Sequence, residues 1–203
     1  MALSDLLFLL SVLLILFMVA GIAISAIRGR WKTMGRFSSA LGLFVAVYAA
    51  VLIGVAVAIP RRFYAPGERR CFDDWCAAAL SVEPAEAACG ADASGRSWVA
   101  TIEVSSVARR IRQRAPDARA ELEDENGSRY PPCAGSTAGN SLSDMLGPGE
   151  SLRVSLPFRL PAGAIPAGVI LHHGDFPGAV IIGADQSFLH HPALQRVAVN
   201  RRP

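Results

Sequence analysis

The sequence predicts a membrane-anchored all-β protein: a two-helix transmembrane hairpin followed by a β-sandwich. Three observations carry this reading: two long charge-free runs, a basic loop between them, and an alternating apolar pattern beyond Trp98. The chain has 203 residues, of which 52% are hydrophobic and 18% charged, with a mean hydropathy of +0.35. That is too apolar for an ordinary soluble domain. The excess is local. Leu6–Ile27 is 22 residues without a charge and Phe37–Ile59 another 23, and beyond them the 144 residues 60–203 have the composition of one domain with its own core. The expected organisation is a hairpin over 1–60, a linker over 61–70 and a folded domain over 71–203.

At 1.5 Å per residue, 22 helical residues reach about 33 Å, enough to cross a hydrocarbon layer of about 30 Å. Backbone groups in lipid must bond internally, so both runs are expected to be helices, at about 6–27 and 37–59. A cleaved signal peptide is the rival reading of the first run. It calls for basic residues ahead of Leu6, where there are none, and for a shorter apolar core. The nine-residue connection 28–36 carries Arg28, Arg30, Lys32 and Arg36 without an acid. Beyond residue 60, 16 Arg face 16 acids, so the net charge of +3 comes from this loop less Asp5. The basicity is thus a topology signal, and no nucleic-acid partner is expected. Arg61, Arg62, Arg69 and Arg70 follow the second run closely but are diluted by Glu68, Asp73 and Asp74. This places the loop in the cytoplasm and the large domain outside, in a two-pass protein of the inner or plasma membrane.

The second helix has small residues at every fourth position: Gly42, Ala46, Ala50, Gly54 and Ala58. Such a ridge lets two helix backbones approach closely in lipid. Packing against the first helix is preferred here over contact with another membrane protein or a second copy of the chain.

In the large domain, Trp98, Ala100, Ile102 and Val104 alternate with Thr101, Glu103 and Ser105. Ala118, Ala120 and Leu122, then Leu152, Val154, Leu156 and Phe158, repeat the two-residue period. Asn126-Gly127 signals a hairpin, and Pro148-Gly149 a turn. Phe72–Val82 is expected to be the first strand, and Val169–His172 and Val180–Ile182 short apolar ones. About seven strands with turn signals between them form the pattern of a sandwich.

Three motifs in order, Leu122-x-Asp124-x-x-Gly127-x-x-Tyr130, Leu146-x-Pro148-Gly149-Glu150-Ser151 and Leu156-x-Phe158-x-Leu160-Pro161, follow a strand ending at Val104-Ser105. This arrangement resembles the uncharacterised immunoglobulin-like domain of bacterial cell-surface lipoproteins and membrane-anchored proteins, over roughly Phe72 to Ile182. The resemblance implies an immunoglobulin-like sandwich, an extracytoplasmic location and no established activity or catalytic residue. Two features depart from it: Ser105-Ser106 where the family often has Asn, and a hairpin where its members usually carry a lipid or a single helix.

Cys71, Cys76, Cys89 and Cys133 all lie in the large domain. An even number in an exported domain reads as two disulfides with three possible connectivities. Pairing 71–76 with 89–133 is favoured, provided Phe72–Trp75 makes a turn that brings the first pair within about 7 Å. A thiol-redox site lacks the Cys-x-x-Cys spacing, and a zinc site lacks paired short spacings.

Other candidates are weighed by chemistry. His172-His173 and His190-His191, near Asp175 and Asp185, offer imidazole and carboxylate ligands for zinc or copper. Neighbours in a strand point to opposite faces, so each pair could give one ligand at most. Asp73-Asp74-Trp75 has the residues of an acid–aromatic sugar site, but adjacent carboxylates do not span a cleft, and Trp75 reads as core. Asn126-Gly127-Ser128 matches a glycosylation sequon, although the turn already requires Asn-Gly. Arg109, Arg110, Arg112 and Arg114 form a basic run suited to an anionic partner, or a solvated loop balanced by Glu121, Glu123, Asp124 and Glu125.

The expected function is that of a binding or protein-interaction module without catalytic activity or cofactor, held at the bilayer. Recognition is expected in the end loops 109–116, 131–144 and 172–178. The alternatives are an accessory subunit docking through the second helix, and a periplasmic metal-binding protein using the histidines.

Overall fold

The computed structural model describes residues 3–72, 74–85, 89, 95–115, 117–133, 140–174, 178–183, 187 and 189–198, with side chains from Leu6 onward. Two long apolar helices are followed by a two-sheet β-sandwich domain. The chain divides into two compact units, one of residues 1–60 with 175–191, the other of 61–174 with 192–203.

In the first unit, α1 spans Leu3–Ile27 and α2 spans Trp31–Ala58. Both are long and apolar enough to cross a membrane. The connection is three residues rather than the nine expected, because Gly29 takes a left-handed φ of +64° and reverses the chain at once. Its N–H donates to the Ala26 carbonyl at 3.0 Å, and the Arg30 N–H to the Ser25 carbonyl at 2.9 Å, capping α1. Lys32 and Arg36 consequently sit within α2. The helices pack through Phe17 and Phe37, edge to face at 6.4 Å, with Gly21 leaving room for the Phe37 ring.

In the second unit the strands are β1 (Phe63–Tyr64), β2 (Arg70–Phe72), β3 (Trp75–Pro84), β4 (Arg96–Ser106), β5 (Ala118–Asp124), β6 (Arg129–Tyr130), β7 (Ser151–Leu160), β8 (Pro166–His173) and β9 (Leu194–Arg196). One sheet has the order β1-β9-β8-β5-β6, the other β2-β3-β4-β7. The alternation read from sequence is the one that fills the core. Trp98, Ala100, Ile102 and Val104 of β4, Val154, Leu156, Phe158 and Leu160 of β7, and Ala120 and Leu122 of β5 are all buried. On β3 the inward positions run Ala77, Ala79, then Val82, since a bulge between Ala79 and Ser81 shifts the parity by one.

Three expectations are corrected. Phe72–Val82 is not one strand: the chain turns between Phe72 and Trp75, so that β2 pairs with β3 and Cys71 lies directly opposite Cys76. The 61–70 segment is not a free linker, because β1 pairs in parallel with β9 there. Val180–Ile182 is not a strand, and Gly178–Val180 is a 3-10 turn. β8, the strand before this run, is already bonded by β5 on one side and β9 on the other, so the run does not pair beside it.

Both disulfides join the favoured partners. Cys71–Cys76 closes the β2–β3 hairpin, with Cα atoms 3.9 Å apart. Cys89–Cys133 ties the β3–β4 connection to the segment after β6. That segment is also held by the Cys133 N–H, which donates to the Pro157 carbonyl at 2.9 Å. Two disulfides suggest an extracytoplasmic domain.

Candidate functional site

Loops far apart in sequence are stitched together at one end of the sandwich. There β4 ends at Ser106, paired side by side with the start of β3 and the start of β7. The β4–β5 loop leaves this point and is pinned at both ends by buried Ala108 and Ala115. Midway, Gln113 exchanges two backbone hydrogen bonds with Leu146, at 2.8 and 2.7 Å. Its side-chain amide donates to Asp74 Oδ2 at 2.7 Å, while the Val107 N–H donates to the Asp74 carbonyl at 2.8 Å. The β2–β3 turn, the β4–β5 loop and the end of the β6–β7 loop thereby form one surface. Leu142 and Leu146, both buried, fasten its third side to the core.

Arg109, Arg110, Arg112 and Arg114 are all exposed on this surface. Arg112 Nη2 donates to the Met145 carbonyl at 3.3 Å, and no ion pair to any of the four occurs among the described residues. Between them stand apolar side chains left in solvent: Ile111 at 64% exposure, Met145 at 50% and Val107 at 49%. The expected recognition loop 109–116 is thus joined to Met145 and Leu146, just beyond the expected loop 131–144; Pro116 and residues 134–139 lie outside the described residues.

Three of the four acids that sequence proximity offered as balance are engaged elsewhere, while Glu125 is exposed. Glu123, with a nearly buried side chain, accepts both Arg61 terminal nitrogens at 2.5 and 2.8 Å and Arg129 Nε at 3.4 Å. Asp124 Oδ1 accepts the N–H groups of Asn126 and Ser128 at 2.9 Å each, and Oδ2 accepts the Tyr130 hydroxyl at 3.0 Å. With Gly127 at φ +80°, these contacts account for the Asp124/Gly127/Tyr130 motif as a hairpin-building device. Desolvation, then the Asp124 carboxylate, push the Tyr130 phenol above its usual range. Glu121 Oε2 lies 3.3 Å from His172 Nε2.

Among the described residues the histidines do not gather into one site. His172 faces Glu121, whereas His173, on the other side of β8, packs 5.2 Å from the Trp75 ring and 5.6 Å from Phe72. His190 Nδ1 is 3.4 Å from the Ala56 carbonyl in the helical unit, and His191 is exposed. Among the described residues no group of three or more His, Cys, Asp or Glu is placed to hold a metal. Asp175 and Asp185 lie outside the described residues, as do Asp73 and residues 175–177 of the 172–178 loop. Trp75 is buried and stacks on Phe72 at 4.6 Å, so it is a core residue rather than a sugar platform.

The helical ridge also differs from expectation. Gly42, Ala46, Ala50, Gly54 and Ala58 are all exposed, and a Cβ added at Gly42 or Gly54 would meet nothing within 4 Å. The face of α2 turned toward α1 carries bulkier side chains such as Phe37, so the ridge does not pack within the hairpin.

No family model matches the sequence, and no curated protein matches it. Among solved structures, the chain is similar to the secreted protein MPT63 of Mycobacterium tuberculosis, at 16% identity, covering 58% of this chain and 93% of that one, with a TM-score of 0.46. It is also similar to the yjhA protein of Bacillus subtilis, at 11% identity, covering 66% and 99%, with a TM-score of 0.44. An uncharacterised β-sandwich protein of Clostridium difficile is a third, at 13% identity, covering 57% and 88%, with a TM-score of 0.39.

Proposed function

We propose that this protein is a membrane-anchored, extracytoplasmic binding module without catalytic activity. In this reading α1 and α2 cross the membrane as a hairpin, with the turn at Arg28–Arg30 in the cytoplasm. The sandwich, immunoglobulin-like in type, lies outside and presents its joined loops to a partner bearing acidic groups. The observation that carries the reading is the set of four exposed arginines with no carboxylate partner among the described residues, interleaved with exposed Ile111 and Met145. Arginine beside an exposed apolar side chain is the composition of an interface centre. The loop is held at both ends, so little ordering entropy opposes binding.

The test is co-purification from native membranes in mild detergent, comparing the wild type with a variant in which all four arginines become glutamate. Stoichiometric companions of the wild type are expected to fall about 100-fold in the variant and to dissociate with added salt. Companions that survive both changes would contradict the proposal.

The exposed ridge on α2 favours a second reading, in which this helix docks on another membrane-embedded helix. If so, replacing Ala50 and Gly54 with leucine abolishes an intramembrane crosslink made by the wild type. An unchanged crosslink pattern would remove that reading while leaving the loop surface intact.

A further inference from the structure

The run Phe176–Ala184 has nine residues and no charge, between Asp175 and Asp185. Its described part, Gly178–Gly183, forms no strand of the sandwich and belongs to the helical unit. Two contacts fix its position along α2. The Tyr48 hydroxyl donates to the Val180 carbonyl at 2.6 Å, and His190 Nδ1, as donor, approaches the Ala56 carbonyl at 3.4 Å. Ala56 is in the last turn of α2, where a carbonyl has no partner within the helix. Tyr48 lies ten residues before the end of α2, about 15 Å down its axis.

From these positions we infer that Gly178–Gly183 is a re-entrant element seated among the lipid acyl chains of the outer leaflet. The inference rests on the reading that α1 and α2 span the membrane. It adds a third apolar element to the anchor, supplied from the sequence between β8 and β9.

The chemistry fits that depth. Irregular backbone costs less in a bilayer where protein groups bond it, and three backbone groups of this segment are so bonded. Here the Ile181 N–H donates to the Gly178 carbonyl at 3.2 Å within the 3-10 turn. The Val180 carbonyl takes the Tyr48 hydroxyl, a side-chain group that would itself need a partner in hydrocarbon. Val180 also lines an apolar recess of about 250 Å³ with Phe8, Val12, Ile15, Phe44 and Tyr48, so the turn rests on both helices. Ile181 and Ile182 remain partly exposed beside the lipid-facing helix surface, which is where acyl chains would meet them.

The test uses the full chain in phosphatidylcholine–phosphatidylglycerol vesicles. The four native cysteines are paired, so a fifth can be labelled selectively. A nitroxide is placed at Ile181→Cys or Ile182→Cys, with Leu43→Cys as the membrane reference and Ser155→Cys as the water reference. Collision with oxygen and with a polar nickel chelate is then measured by electron paramagnetic resonance. Labels at 181 and 182 are expected to match Leu43→Cys, with the chelate excluded about tenfold relative to Ser155→Cys. If they match Ser155→Cys while Leu43→Cys excludes the chelate, the insertion is refuted and the membrane-spanning reading stands. If Leu43→Cys also admits the chelate, the spanning reading fails and the insertion with it.

Discussion

Replacing Cys89 and Cys133 together by alanine is expected to lower the unfolding free energy of the sandwich by about 4 kcal/mol, twice the roughly 2 kcal/mol expected for Cys71 and Cys76. The difference follows from loop closure. Cys89–Cys133 spans 44 residues, whereas Cys71–Cys76 spans 5 and joins positions already opposed in the β2–β3 register. A cross-link removes more freedom from the unfolded chain when it closes a longer loop. The Cys89–Cys133 bridge also joins the β3–β4 connection of one sheet to the chain leaving β6 of the other. Guanidinium unfolding of the full chain in detergent, followed by the fluorescence of buried Trp75 and Trp98, measures both variants. Equal losses, or a larger loss for Cys71–Cys76, would contradict this ordering.

A second large effect is expected at a residue with no side chain. Gly168→Ala should cost about 3 kcal/mol, the upper end of the range for forcing an added methyl into a packed site. A Cβ at Gly168 would stand 2.4 Å from the backbone oxygen of Gln195 and 2.8 Å from Leu194 Cγ. The backbone oxygen cannot rotate away, so β9 must separate from β8. That movement disturbs more than one strand pair, because Gln195 is the tie between sheets. Its side-chain oxygen accepts the Ala79 N–H at 2.5 Å, and its amide donates to the Ala77 carbonyl at 3.1 Å. With Gln195 1% exposed, any of these groups that loses its partner is left without water. The same unfolding measurement applies, and a loss below about 0.5 kcal/mol would show that the β8–β9 approach is loose.

Both effects depend on structure that was only partly legible beforehand. The helices were plain in sequence because absence of charge over some 22 residues has few other meanings. β4, β5 and β7 were plain because each is long enough to show its period. β1 and β9, two and three residues long, are too short for alternation to register. Leu80 in the β3 bulge hides the period there, since Ala77, Ala79 and Val82 face inward at uneven spacing. Val180–Ile182 misled because apolarity reports that a segment avoids water and not what it lies against.

The loop surface shows the same division. The basic run was visible as composition, but whether its charge was compensated depended on where Glu121, Glu123 and Asp124 went. They went to His172, to Arg61 with Arg129, and to the hairpin with Tyr130. The bridge from Gln113 to Leu146, which joins the 109–116 loop to the chain just beyond 131–144, leaves no local signal at all. The disulfide pairing was only partly legible: three connectivities were open in the sequence, and the Cys71–Cys76 bond depended on a turn between Phe72 and Trp75 that the apolar pattern did not show.

The central claim is that the sandwich stands outside a membrane crossed twice by α1 and α2. Its most direct test is labelling of intact cells with a membrane-impermeant maleimide, using a single added cysteine in the full chain. Ser155→Cys, on the exposed face of β7, is expected to label in intact cells, and Arg30→Cys in the helical turn only after permeabilisation. Labelling of Arg30→Cys in intact cells with Ser155→Cys protected would contradict the topology and the function proposed from it.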